Sequence, residues 1–246
     1  MKWIARTMTS IAENLGRVRE RIAAAAERAG RDASSIKLVA VSKTCLVTAV
    51  WQAVIAGQSA FGENYVQEGI DKIEALRRLL EANHSVQSIE WHFIGPIQSN
   101  KTRAIASNFQ WVHSVDRLKI AQRLNDARPD GMPPLEICIQ VNISEEETKS
   151  GASVDELTAL AMAIKQMPRL RLRGLMAIPR PTRDPQEQRR QFRAVRVLRD
   201  QQADRGIVLD TLSMGMTEDL EAAIAEGATM VRVGQAIFGP RPKARS

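Results

Sequence analysis

The residue types able to do chemistry stand at a few places in this sequence. Lys43 follows the apolar run Leu38-Val39-Ala40-Val41 by two residues. A lysine at the lip of an apolar interior loses hydration, which favours its neutral amine. A neutral amine attacks carbonyl carbons and forms Schiff bases. A surface lysine closing a strand is the plain alternative. Near the end of the chain lie two glycine turns, Ser213-Met214-Gly215-Met216 and Gly234-Gln235-Ala236. Glycine lets backbone N–H groups approach an anion closely, and Ser213 adds a hydroxyl. Glu218 and Asp219 follow Thr217, cap the positive end of their own helix and would repel an anion there, so a phosphate belongs between the two turns. Taken singly, these are ordinary glycine turns. Arg232 lies in Met230-Val231-Arg232-Val233-Gly234, where strand alternation sets it opposite the two valines. A buried guanidinium needs a partner, either a carboxylate from another strand or a ligand.

What must position these residues is a repeat of strand and helix. Eight short apolar runs appear at 37–41, 59–61, 91–94, 111–113, 135–141, 172–178, 209–212 and 230–233. Each is bounded by turn formers, as buried parallel strands are. Helical stretches separate them at 44–56, 64–80, 98–106, 116–127, 154–166, 184–204 and 217–225. A further amphipathic helix, about 9–29, precedes them; Thr9 or Ser10 can cap its start and Gly30 can end it. The reading is an α/β protein, one (β/α)8 TIM-type barrel over residues 1–246 with an extra N-terminal helix. An open doubly wound sheet is the competitor. It usually carries a glycine-rich turn after its first strand, whereas this strand ends in Ser42-Lys43-Thr44-Cys45. In a barrel the active site lies past the C-terminal strand ends, and phosphate often binds at the loops after strands seven and eight. Lys43, the two turns and an inward Arg232 together describe a pyridoxal 5′-phosphate site, with one partner each for carbonyl, phosphate and ring nitrogen.

Composition narrows the field. The 246 residues are 44% hydrophobic and 26% charged, as in ordinary globular chains. The net charge of +7 is too diffuse to define a nucleic-acid binder. The arginines between Arg183 and Arg199 surround a helix whose apolar positions are Phe192, Val195 and Leu198, which reads as a solvated outer helix. Two cysteines fit a reducing compartment. No signal-peptide core and no membrane-length apolar run is present, so the expected compartment is the cytoplasm, with no membrane partner. His84, His92 and His113 have no close metal-ligand spacing, which argues against zinc; His92 reads as a hydrogen-bonded core residue.

Six blocks carry a resemblance. KLVAVSKTC (37–45), FGENYVQE (61–68), WHFIGPIQSNK (91–101), LRGLMAIP (172–179), LSMGMTEDLEAAI (212–224) and MVRVGQAIFG (230–239) resemble the pyridoxal phosphate homeostasis proteins, in family order over nearly the whole chain. The resemblance implies a barrel similar to that of alanine racemase without its second domain. It implies Lys43 as the covalent cofactor lysine, Ser213, Gly234 and Gln235 at the phosphate, Arg232 at the pyridine nitrogen and Asn64 beside the ring. It also implies a role in vitamin B6 homeostasis, with no established turnover, and binding of pyridoxal phosphate, other B6 vitamers or amino acids. Loss of the racemase domain removes that enzyme's dimer surface, so a monomer is expected. An arginine at the ring nitrogen keeps that nitrogen unprotonated and the ring a weak electron sink. Racemisation also needs an acid or base on each face of the substrate carbon, and Tyr65 is the sole tyrosine. A racemase-like enzyme and a cofactor-free Schiff-base aldolase remain the alternatives.

Overall fold

The computed structural model describes residues 10–143 and 150–240. Eight parallel strands close into a barrel in sequence order: β1 Lys37–Val41, β2 Ala60–Glu63, β3 Glu90–Phe93, β4 Trp111–Val115, β5 Leu135–Gln140, β6 Leu170–Met176, β7 Thr211–Ser213 and β8 Met230–Val233. Closure is made by β8 on β1, with Val39 beside Arg232 and Ala40 beside Val233. Outside lie α1 Ile11–Arg28, α2 Val47–Ile55, α3 Val66–Ala82, α4 Thr102–Asn108, α5 Leu118–Ala127, α6 Val154–Lys165, α7 Pro185–Asp204, α8 Leu220–Ala225 and the short α9 Gln235–Phe238. Every expected strand and helix is present.

The apolar residues form two separate layers, as a barrel requires. Between sheet and helices runs a large shell that includes Phe61, Phe93, Val231 and Val233. Inside the barrel a small cluster collects Val39, Ala60, Trp111, Cys138, Met176 and Met230. Alternation along β8 therefore turns Met230 and Arg232 inward, as the valine pattern indicates.

The helix α1 begins at a capping box. Ser10 accepts from the Glu13 amide while the Glu13 carboxylate accepts from the Ser10 amide. Its buried stripe of Leu15, Val18, Ile22, Ala25 and Ala26 covers the seam next to α8 and α9. Asn14 ties it to the carbonyl of Ile237 at 2.8 Å, and Arg21 reaches Glu221 at 2.9 Å. On α7 the arginines are engaged from outside: Arg189, Arg193 and Arg196 converge on the buried Glu226 at 2.8, 3.2 and 3.3 Å. A charge run that reads as a solvated face thus anchors α7 to the end of α8.

Several helices start later than periodicity suggests. The turn at Ser42–Cys45 delays α2 to Val47, and α3 starts at Val66. The start of α8 at Leu220 corrects the expected capping role of Glu218 and Asp219. No side-chain cap bond is made at Asp219; its carboxylate instead accepts from the backbone N–H of Met216 at 2.6 Å and closes the loop after β7. In each case the residues between strand and helix are taken up by the turns that build the barrel mouth.

Candidate functional site

Lys43 stands at the end of β1, half-buried, in a turn held from both sides. The Cys45 amide donates to the Ser42 carbonyl at 3.0 Å. Thr44 has φ +64°, a left-handed conformation that a β-branched residue rarely adopts. Its support comes from α3. The buried ammonium of Lys72 donates to the Ser42 carbonyl (2.6 Å), to Glu63 (2.9 Å) and to Glu68 (2.6 Å). The Ser42 hydroxyl donates to Glu63 at 2.6 Å, and the Thr44 amide donates to Glu68. The two neighbours of Lys43 are thus both fastened to one buried lysine and its two carboxylates. Burial pushes the Glu63 carboxyl up from its ordinary value, against the pull of the Lys72 charge and of the hydrogen bonds from Lys72 and Ser42. The sequence reading missed Lys72. Its signal is faint: one lysine on an otherwise apolar helix face, four residues after Glu68 and nine after Glu63.

Asn64 follows β2 at the same end of the barrel. Its side-chain oxygen is buried and has no hydrogen-bond partner among the described residues. The loop after β3 presses on its backbone. A Cβ placed on Gly95 would lie 2.2 Å from the Asn64 carbonyl oxygen. Gly95 is held in turn by the Ser114 hydroxyl, which donates to its carbonyl.

Arg232 is buried inside the barrel. One guanidinium nitrogen donates to the Ser213 hydroxyl at 2.7 Å and the other to the Ala177 carbonyl at 3.0 Å. Both partners are neutral. Burial lowers the pKa of Arg232 to about 10, with Asp219 and Cys138 acting the other way, so it stays a cation at neutral pH. Ser213 is fully buried, and its hydroxyl oxygen sits between Arg232 and Nδ1 of His113 at 2.7 Å. In this arrangement the Ser213 hydroxyl faces the arginine and the histidine inside the barrel. The loop it begins still turns at Gly215, whose φ is +95°. Gly234 and Gln235 open α9, and a pocket joins them to Val41, Thr44 and Cys45 of the Lys43 turn. The first N–H groups of any helix lack intrahelical partners.

The histidines are closer than their spacing implies. His92 and His113 lie on adjacent strands, both fully buried, with ring nitrogens 2.8 Å apart. Among the described residues no group of three or more His, Cys, Asp or Glu side chains could hold a metal ion. Two larger clefts open at the opposite, N-terminal end of the barrel around Lys37 and Glu90. That end of such barrels serves stability rather than chemistry.

Residues 14–242 match the family model described as alanine racemase, N-terminal domain. The pyridoxal phosphate homeostasis protein of Pseudomonas aeruginosa is 56% identical over 234 residues, which is 95% of this chain and 97% of that one. The protein of the same name from Escherichia coli is 54% identical over 237 residues, covering 95% and 98%. Among solved structures, PipY of Synechococcus elongatus with PLP bound superposes with a TM-score of 0.79 at 34% identity, over 94% of this chain and all of that one. With its closed barrel and its lysine turn, this chain belongs to the pyridoxal phosphate homeostasis proteins, the family built on the alanine racemase N-terminal domain.

Proposed function

We propose that this protein binds pyridoxal 5′-phosphate at the C-terminal mouth of its barrel, with Lys43 as the Schiff-base lysine, and works in vitamin B6 homeostasis by holding and releasing the cofactor rather than by turning over a substrate. The observation that carries the reading is Arg232, a buried cation whose direct partners are all neutral. The donor set fits the group. The orphaned oxygen of Asn64 offers an acceptor beside the ring. Arg232 presents positive charge to the ring nitrogen. The backbone amides of Gly234 and Gln235 are available to the phosphate. Bound there, the cofactor supplies an electrophilic aldehyde and a conjugated ring; the chain supplies an amine, an orientation and a fixed charge. PipY, 34% identical to this chain, has been solved with PLP bound, which supports the choice of cofactor.

The non-catalytic part of the reading concerns the acids and bases described around Lys43. Turnover of an amino acid needs a second acid or base across the substrate carbon. The sole tyrosine, Tyr65, is 57% exposed at the start of α3. Exchange of the cofactor between Lys43 and an incoming amine needs no such group, which suits storage and transfer. No helix among the described residues is long and apolar enough to cross a membrane.

The test is chemical. Protein loaded with pyridoxal phosphate should be yellow, and borohydride followed by peptide mapping should place one pyridoxyl group on Lys43. The Lys43→Ala protein should be colourless. A label on another lysine would overturn the assignment. Sustained racemisation or transamination by the pure protein, lost in Lys43→Ala, would overturn the carrier role in favour of a racemase-like enzyme. Aldol cleavage by colourless wild-type protein would favour the aldolase.

A further inference from the structure

A continuous line of hydrogen bonds runs through the barrel interior, from Arg232 to the opposite end. Arg232 donates to the Ser213 hydroxyl at 2.7 Å. Ser213 meets Nδ1 of His113 at 2.7 Å. Nε2 of His113 meets Nδ1 of His92 at 2.8 Å, and Nε2 of His92 meets Glu90 at 2.7 Å. Strands β8, β7, β4 and β3 each contribute, and only Glu90 is not buried.

Chemistry fixes the direction of every bond. Glu90 also accepts from the ammonium of Lys37 at 2.6 Å. Burial works to raise the Glu90 carboxyl, but His92 and Lys37 hold it down at about 2, so it is ionised. A carboxylate only accepts, so Nε2 of His92 carries the proton. Burial disfavours the charged ring of His92 and, more strongly, of His113, where the charges of His92, Arg232 and Lys37 act the same way. A neutral His92 then accepts at Nδ1 from the Nε2–H of His113. Neutral His113 accepts at Nδ1 from the Ser213 hydroxyl, and that oxygen accepts from Arg232. The one proton of Ser213 is thereby committed to His113 and is not available to a phosphate. The line has a cation at one end, a carboxylate at the other and three neutral, oriented groups between.

We propose that Glu90, His92 and His113 are positioning residues that, through Ser213, hold the Arg232 guanidinium in one orientation and supply its counter-charge from the far end of the barrel. The proposal rests on Arg232 as the partner of the cofactor's ring nitrogen. A carboxylate placed directly on Arg232 would neutralise it where the ring lies. Routed through two imidazoles and a hydroxyl, the compensating charge stays remote, and the ring sees a cation. The other charges that act on the line are Lys37 at the Glu90 end and Asp219 at the Arg232 end; the buried Cys138 thiol, pushed up to about 12, is neutral.

The first test needs no cofactor. Long-range proton–nitrogen spectra of the histidine rings at pH 8 should show His92 and His113 both neutral and both protonated at Nε2. Either ring found as the Nδ1–H tautomer, or charged at that pH, overturns the proposal. The second test uses protein loaded with pyridoxal phosphate and follows the pH midpoint of its Schiff-base absorbance. In Glu90→Gln the midpoint should fall by about half a unit, roughly a threefold loss of proton affinity, because a negative charge has been removed. His92→Phe should move it the same way. Glu136→Gln is the control, since that carboxylate sits near the same end but pairs with Arg171 and Arg173. An unshifted midpoint in Glu90→Gln, or an equal shift in Glu136→Gln, overturns the relay. If wild-type protein forms no Schiff base at all, it is the cofactor reading that fails, while the tautomers still judge the hydrogen-bond line.

Discussion

Lys72→Met should be among the most destabilising single changes in the protein, by about 3–5 kcal/mol at pH 8, the usual cost of stripping the partner from a buried ion pair. Glu63 is fully buried, and in the variant its carboxylate would keep only the Ser42 hydroxyl. The sign of the pH dependence follows. The Glu63 carboxyl is already raised in the folded protein, and losing the Lys72 charge raises it further. A carboxyl raised on folding contributes stability below its unfolded pKa and loses it as pH climbs through the folded value. The deficit of Lys72→Met relative to wild type should therefore shrink towards pH 5 and grow towards pH 8. Urea unfolding at the two pH values measures this directly. A second change, Glu63→Gln on top of Lys72→Met, should recover a large part of the loss, since no buried charge is then left alone. The same variants should bind pyridoxal phosphate more weakly even where they fold, because the Ser42 carbonyl loses its ammonium donor and Glu68, which holds the Thr44 amide, loses its counter-ion. A Lys72→Met protein as stable as wild type at pH 8 would mean the network is ornamental.

That network also marks the limit of what the residues reveal before folding. Strand order and the inward face of β8 are legible because they depend on local patterns: apolar runs between turn formers, and valines alternating with one arginine. Lys43 is legible because it ends such a run. Lys72 is not, since a lysine on a helix is ordinarily solvent-facing, and only the closure of β1 against β2 brings it under Ser42. The pairing of His92 with His113 is hidden for a related reason. They are 21 residues apart, one strand–helix repeat, and parallel neighbours touch only after the crossover is made. Asp219 misleads differently. An acidic residue ahead of an apolar helix resembles a cap, yet its carboxylate is drawn back to the Met216 amide by the tight turn at Gly215. The starts of α2, α3, α4, α5 and α8 fall later than expected, where strand-end residues are taken up by turns at the barrel mouth, whereas α6 starts at Val154 as its pattern indicates.

Gly95→Ala should damage the site through backbone alone. The added carbon would fall 2.2 Å from the Asn64 carbonyl oxygen, 2.7 Å from its Cα and 2.8 Å from its carbonyl carbon. None of these atoms can rotate aside as a side-chain tip would. Gly95 cannot retreat freely either, since its carbonyl is held by the buried Ser114 hydroxyl. The strain therefore passes to Asn64 and to the end of β2, which is itself tied to β3 by the Ile94 amide donating to the Glu63 carbonyl at 2.9 Å. Overpacking of this kind costs about 1–3 kcal/mol and sometimes more. Because the displaced residue carries the orphaned acceptor of the mouth, cofactor affinity should fall by about tenfold, equivalent to about 1.4 kcal/mol, in protein that still folds. Gly16→Ala supplies the contrast. Gly16 lies inside α1 with open space around the position of its missing carbon, so alanine there should stabilise by up to about 1 kcal/mol and leave cofactor binding untouched. Thermal unfolding and titration with pyridoxal phosphate on both variants decide the matter. Equal affinity in Gly95→Ala and wild type would separate Asn64 from the cofactor and return the buried acceptor to being a packing accident of β2.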